Sequence, residues 1–414
     1  MFLQKKSARA PVKRLKCAVK LDFGAISGDL RGSVNAIKDG NRIVSRFRRR
    51  EQFLFAEPRQ VIGTNGEVIY VLCDDGMYSI RTSTMGWLSD DIASSATSCI
   101  YRGDMIISSD EFGTYFVTQN KAQSIYKDGF SSLTVCADRI LGLYQNKVRY
   151  TAAGERDGFA NGETITLPTD CDALVTVDDK VYVLGNTCYT ISPKADDIEF
   201  KFSYFAKNIG VVSERSVVVY NGRAVFASKS GLYQISSDKI TPIFTQLCEA
   251  VDFAGSVATW FDGKYYLSCR TKDSSETLND VTLILDLDSE EIVGVLDIGF
   301  ESMCANSHTI YVTREGHQYR IVNEVSIGRF VKSKIDFATD KKKFLDRLTV
   351  TTRNDLDVAI HSENETRLYK IKGKKTAQKI NLRDMGWEFS IELSSVDGLD
   401  VENLELYAHV CEEV

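Results

Sequence analysis

The sequence predicts an all-β protein: a β-propeller of six or seven blades with a C-terminal β-sandwich module and an N-terminal basic arm. Three observations carry this. A hairpin pattern returns seven times, its first strands starting at Val68, Met105, Ile140, Val181, Ala224, Tyr265 and Ile310, a mean spacing of about 40 residues. Helical periodicity is nearly absent, a short stretch at 243–253 apart. The last ~84 residues then break the period while staying strand-like. A period near 40 made of hairpins is the signature of propeller blades, because one small sheet cannot bury both of its faces alone.

The first segment, 1–56, is set apart by charge. Residues 1–50 hold 14 Lys/Arg against Asp22, Asp29 and Asp39, a net +11, so the other 364 residues carry −6 − 11 = −17. Such an arm suits docking on something anionic, or lying on its own acidic body or an identical neighbour. The residues for that contact are Lys5, Lys6, Arg9, Lys13, Arg14, Lys16 and Lys20, then the cluster Arg46, Arg48, Arg49 and Arg50. Only Phe47 and Phe53 interleave, too few for a base-stacking platform. Phe53, Leu54 and Phe55 are the expected closing strand of the propeller.

The propeller is placed at 57–330. Each copy brackets alternating runs of Val, Ile, Tyr, Phe and Thr with polar or Gly-containing turns, as in NGEVIYVLCDDGMYSI (65–80) and NGRAVFASKSGLYQI (221–235). The sixth copy carries a polar insertion at 271–280. The C-terminal domain is placed at 331–414, with half-buried strands expected at 334–337, 345–352, 356–361, 367–372, 387–393 and 404–410.

Other classes find little footing. No apolar run approaches the ~18–20 residues of a membrane span, and residues 1–20 show no secretory h-region, so a soluble, cytosol-made chain is expected. The ten cysteines are at least 17 residues apart, which leaves no zinc or disulfide spacing and reads as buried free thiols. His308, His317, His361 and His409 form no metal-ligand pair. The acidic pairs Asp74-Asp75 and Asp178-Asp179 sit in turns, where Asp bonds nearby amides. Phosphate-loop and dinucleotide motifs are absent. No catalytic residue, metal or cofactor is assigned, and the chain is read as a non-enzyme.

The segments VRYTAAGERDGFANGETITLP (148–168), NIGVVSERSVVVYNGRAVFASKSGLYQISSDKI (208–240), and WFDGKYYLSC with NDVTLILDLDSEEIVG (260–294) resemble the propeller of bacteriophage tail proteins. KKKFLDRLTVTT, MGWEFSIELSSVDG and LELYAH are similar to the closing β-module of the same proteins. The best-known members form the nozzle, or tail tube, of short-tailed phages. The resemblance implies a virion structural protein assembled in host cytoplasm, with copies of itself in a ring of six. Portal-adaptor and other tail proteins are the implied partners, with transient passage of genomic DNA. The chain is short for a nozzle protein. The rival readings are a glycan- or receptor-binding propeller, a propeller hydrolase and a cellular scaffold. The first of these would use the 271–280 loop or Trp87, Trp260 and Trp387, which are otherwise read as core anchors.

Overall fold

Runs rich in β-branched and aromatic residues, cut by tight turns, leave the chain little choice but antiparallel ladders. The computed structural model describes residues 13–20, 35–39, 42–52 and 56–412, apart from 82–83, 119–120, 194–198, 237, 336, 338 and 364. Its described residues are strands and three short 3-10 turns. The short helix expected at 243–253 is one of those turns, Thr245–Glu249. Among the described residues, no helix is long and apolar enough to cross a membrane. The chain divides into two units. One comprises Met1–Arg48, Glu291–Asp297 and Asn323–Val414, and the other Arg49–Glu290 and Ile298–Val322.

The larger unit is a succession of antiparallel sheets, here numbered 1 to 7. Sheet 1 is Pro58–Asn65, Val68–Cys73, Gly76–Arg81 and Thr84–Ser89. Sheet 2 is Thr97–Tyr101, Asp104–Ser109, Gly113–Val117 and Ala122–Tyr126. Sheet 3 is Ser132–Cys136, Arg139–Tyr144, Lys147–Tyr150 and Glu163–Thr166. Sheet 4 is Ala173–Val177, Lys180–Leu184, Thr187–Pro193 and Phe200–Lys207. Sheet 5 is Val218–Tyr220, Arg223–Ser228, Gly231–Ser236 and Lys239–Ile243. Sheet 6 holds Val251–Phe261, Lys264–Thr271 and Val281–Asp286. Sheet 7 holds Ser302–Ala305, Ile310–Arg314 and His317–Val325.

This is a propeller-like arrangement. Consecutive four-stranded sheets follow in meander order, and the first strand of each packs on the first strands of its neighbours. The first strand of sheet 7 packs back on that of sheet 1. Two-residue turns with positive φ at both positions make several hairpins: Arg102-Gly103, Asn221-Gly222 and Asp262-Gly263. They match the right-handed twist of the flanking strands.

The runs read from the sequence as alternating are buried on both faces. Val68–Cys73 is buried at all six positions, and Arg223–Ser228 at five of six. Sheets stacked face to face leave a second strand no polar side. Burial also pushes the thiols of Cys73 and Cys171 up to about 12, so they remain protonated and pack as small apolar groups.

Hydroxyls and amides staple one sheet to the next. Gln60 Nε2 donates to Ala96 O at 2.7 Å and its Oε1 accepts from Ala96 N at 2.9 Å, joining sheet 1 to the start of sheet 2. Ser302 Oγ accepts from Val61 N at 2.8 Å, joining sheet 7 to sheet 1. Residues 49–52 of the strand Arg42–Gln52 edge sheet 7. There Glu51 Oε1 lies 2.7 Å from His317 Nδ1, and the Arg49 guanidinium lies over the Tyr319 ring at 5.4 Å. The closing strand expected at 53–55 lies outside the described residues.

The smaller unit has one four-stranded sheet, Gly328–Ile335, Phe389–Ser395, Leu356–His361 and Thr366–Ile371 in spatial order. In a second sheet Lys343–Thr352 pairs with Lys374–Asn381 on one side and Asp400–Glu412 on the other. Here alternation holds: Phe389–Ser395 buries every second residue. Phe330, Leu356, Ile360 and Ile391 of the first sheet share one apolar cluster with Leu345, Leu348, Val401 and Leu406 of the second. The strand Lys374–Asn381 (KKTAQKIN) has no sequence signature because it is exposed over most of its length.

Candidate functional site around Glu214 and Arg215

A polar turn of the larger unit that the hairpin pattern does not mark gathers contacts from several sheets. Glu214–Ser216 is a 3-10 turn just ahead of the first strand of sheet 5. Ser216 anchors it. Its Oγ donates to Ser213 O at 2.6 Å and accepts from Ala227 N at 2.9 Å, while its carbonyl accepts from the Tyr265 hydroxyl at 2.7 Å.

From that anchor Glu214 and Arg215 reach several sheets. Thr97, on the first strand of sheet 2, donates from Oγ1 to Glu214 Oε1 at 2.7 Å. The Ser132 hydroxyl, on the first strand of sheet 3, is a second partner, and its Oγ also accepts from Leu174 N of sheet 4 at 2.9 Å. Arg215 Nη1 donates to Glu301 O, just before sheet 7, at 3.0 Å. From its place ahead of sheet 5, one dipeptide thus reaches the first strands of sheets 2 and 3 and the residue ahead of sheet 7.

Arg215 lines two cavities. One, of about 250 Å³, is polar: Ser95, Thr97, Ser109, Asp110, Asp172 and Glu214 line it. The other, of about 540 Å³, includes Glu57, Arg59, Asn279, Glu301 and Glu315. Glu214 is half-buried, and desolvation outweighs its two hydroxyl bonds and the neighbouring Arg215, pushing its carboxyl up to about 7. Desolvation, with Asp170 adding to it, also raises Asp172. The result is a carboxyl that changes charge near neutral pH, among hydroxyl groups that accept or donate in either state. The sequence signal was available: two opposite charges, Glu214-Arg215, interrupt a run of valines in VVSERSVVVY.

The basic residues read from the sequence do not gather at this turn. Lys5, Lys6 and Arg9 lie outside the described residues. Lys13, Arg14, Lys16 and Lys20 belong to a strand, Lys13–Lys20, paired antiparallel with Asp400–Glu412, with Lys13 opposite Glu412 and Lys20 opposite Glu405. Arg46 lies on the strand Arg42–Gln52, followed there by the exposed Arg48, Arg49 and Arg50. The tryptophans depart from the core role expected of them. Trp87 is 59% exposed and Trp387 55% exposed, Trp87 because it points outward from the fourth strand of sheet 1. Trp260 is half-buried and stacks on Tyr220 with ring centres 4.5 Å apart.

No family model and no curated protein matches the chain. Among solved structures it is similar to the computationally designed Ika8 protein, at 7% identity over 66% of this chain and all of that one, with a TM-score of 0.44. It is also similar to PorZ of Porphyromonas gingivalis, an essential surface component of the type-IX secretion system. That similarity has 9% identity and a TM-score of 0.40, covering 88% of this chain and 58% of PorZ. A third is Kluyveromyces lactis Hsv2, at 8% identity over 66% of this chain and 91% of that one, with a TM-score of 0.39.

Proposed function

We propose that the chain is a structural subunit of a phage tail, built as a seven-bladed β-propeller joined to a β-sandwich. In this reading the strand Arg42–Gln52 supplies the outermost strand of the seventh blade, and the shared cluster of the smaller unit is the sandwich core. Copies of the chain assemble as a ring of nozzle or tail-hub type beside the DNA ejection channel, contacting portal-adaptor and other tail proteins.

The observation that supports the tail reading is a set of charged and aromatic side chains that stand exposed on strands. Arg48, Arg49 and Arg50 are exposed on one strand, Arg49 with its guanidinium over the Tyr319 ring. On the outer strand of sheet 4, Phe202 is 39% exposed and Tyr204 63% exposed. Exposed apolar and charged groups of this kind serve contact with other molecules. The resemblance of the hairpins at 148–168, 208–240 and 260–294 to those of phage tail propellers supports a contact made within such an assembly.

Quantitative peptide mass spectrometry on gradient-purified particles from the source culture tests this. The reading expects the chain at a ring's worth of copies per particle against hundreds of capsid subunits. Its absence from particles removes the tail assignment.

A further inference from the structure

Where sheet 2 hands the chain to sheet 3, a cleft of about 520 Å³ opens, within the size range of small-molecule sites. Its back wall is rigid. Gly129 presses so closely on the Ser109 carbonyl that a Cβ there would lie 1.8 Å from the oxygen, and Phe130 stacks on Tyr126 and packs on Phe159. Arg149 is fixed before any ligand arrives. Its Nε donates to Phe159 O at 2.5 Å, its Nη2 donates to Ala160 O at 3.0 Å, and the guanidinium lies 5.3 Å from the Tyr126 ring centre. Those bonds leave Nη1 as the donor still to be used.

Around this guanidinium, Lys127 and Lys147 bring two further cations and Asp110 and Asp128 two carboxylates. The balance is 3 − 2 = +1. A monoanion satisfies it, whereas a phosphate dianion exceeds it. Carboxylates beside the exposed hydroxyl of Thr164 are acceptors for a hydroxyl-rich ligand. Tyr144, 46% exposed at the rim, offers an apolar face of the size of a sugar ring.

We propose that this cleft binds an acidic saccharide, a hexuronic acid unit. Its carboxylate pairs with Arg149 Nη1 and Lys147, its hydroxyls bond Asp110, Asp128 and Thr164, and its ring lies against Tyr144. This assignment stands independently of the tail reading.

Calorimetric titration of the intact protein with galacturonate and glucuronate oligomers, their neutral methyl esters and inorganic phosphate tests it. One acid oligomer binds, and its ester binds at least about tenfold more weakly, as loss of a charge-assisted bond requires. Lys147→Glu, at an exposed position, removes binding, and Tyr144→Ala weakens it, both with unchanged thermal unfolding. The proposal is overturned if neither acid binds at millimolar concentration, if ester and acid bind alike, or if phosphate competes as well as the saccharide. Full binding by a folded Lys147→Glu protein overturns it equally.

Discussion

Gln60 shows how much one side chain carries between sheets. It is 4% exposed and satisfies both backbone groups of Ala96. Gln60→Ala orphans a buried N–H and a buried C=O, each costing about 1–3 kcal/mol, and urea unfolding reads that loss as a lower midpoint. Glu214 makes a pH-dependent contribution instead. Its folded carboxyl titrates at about 7, above its unfolded value near 4.5, so between those values the folded state binds the extra proton. The stability it lends is complete below the unfolded value and is lost as pH rises through 7. Glu214→Gln keeps the shape and removes the titration. The wild-type melting temperature, relative to that of the variant, should therefore fall between pH 5 and pH 8. A difference that does not change with pH would overturn the assignment.

At the scale of single elements, what the sequence makes legible is what the core demands. Runs such as VIYVLC announce a strand because every residue must be buried, and the turns announce themselves through Gly and Asp. The fourth strands do not: Ala122–Tyr126 and Glu163–Thr166 have no fully buried residue, so seven hairpins were visible where four-stranded sheets stand. Glu214 stands out locally as a charge among valines, but its partners Thr97 and Ser132, more than 80 residues earlier, leave no trace in the sequence around it. Gly129 tests the packing between elements. Gly129→Ala drives a methyl into the Ser109 backbone, which cannot rotate away as a side chain can. Overpacking of this kind costs about 1–3 kcal/mol, and a lower unfolding midpoint should report it.

For the molecule as a whole, the basic segment splits into parts with different duties. Ala36, Ile43 and Val44 are buried, so deleting residues 1–50 would damage the smaller unit and could not separate docking from folding. The triple variant Arg48→Glu, Arg49→Glu, Arg50→Glu changes three exposed side chains and removes the Arg49 contact with the Tyr319 ring. The tail reading expects it to fold, melting slightly below the wild type, and yet to be missing from particles; normal incorporation would show that these arginines make no assembly contact. The ladder between Lys13–Lys20 and Asp400–Glu412 bears on synthesis as well. The earlier strand of this pair must wait for one translated nearly four hundred residues later. At ~5–20 residues per second that wait lasts tens of seconds. The smaller unit can therefore gain this ladder only after the strand Asp400–Glu412 has been made. A product terminated before residue 400 leaves Lys13–Lys20 without its partner strand, so this ladder distinguishes chains that extend through the unit from those that do not.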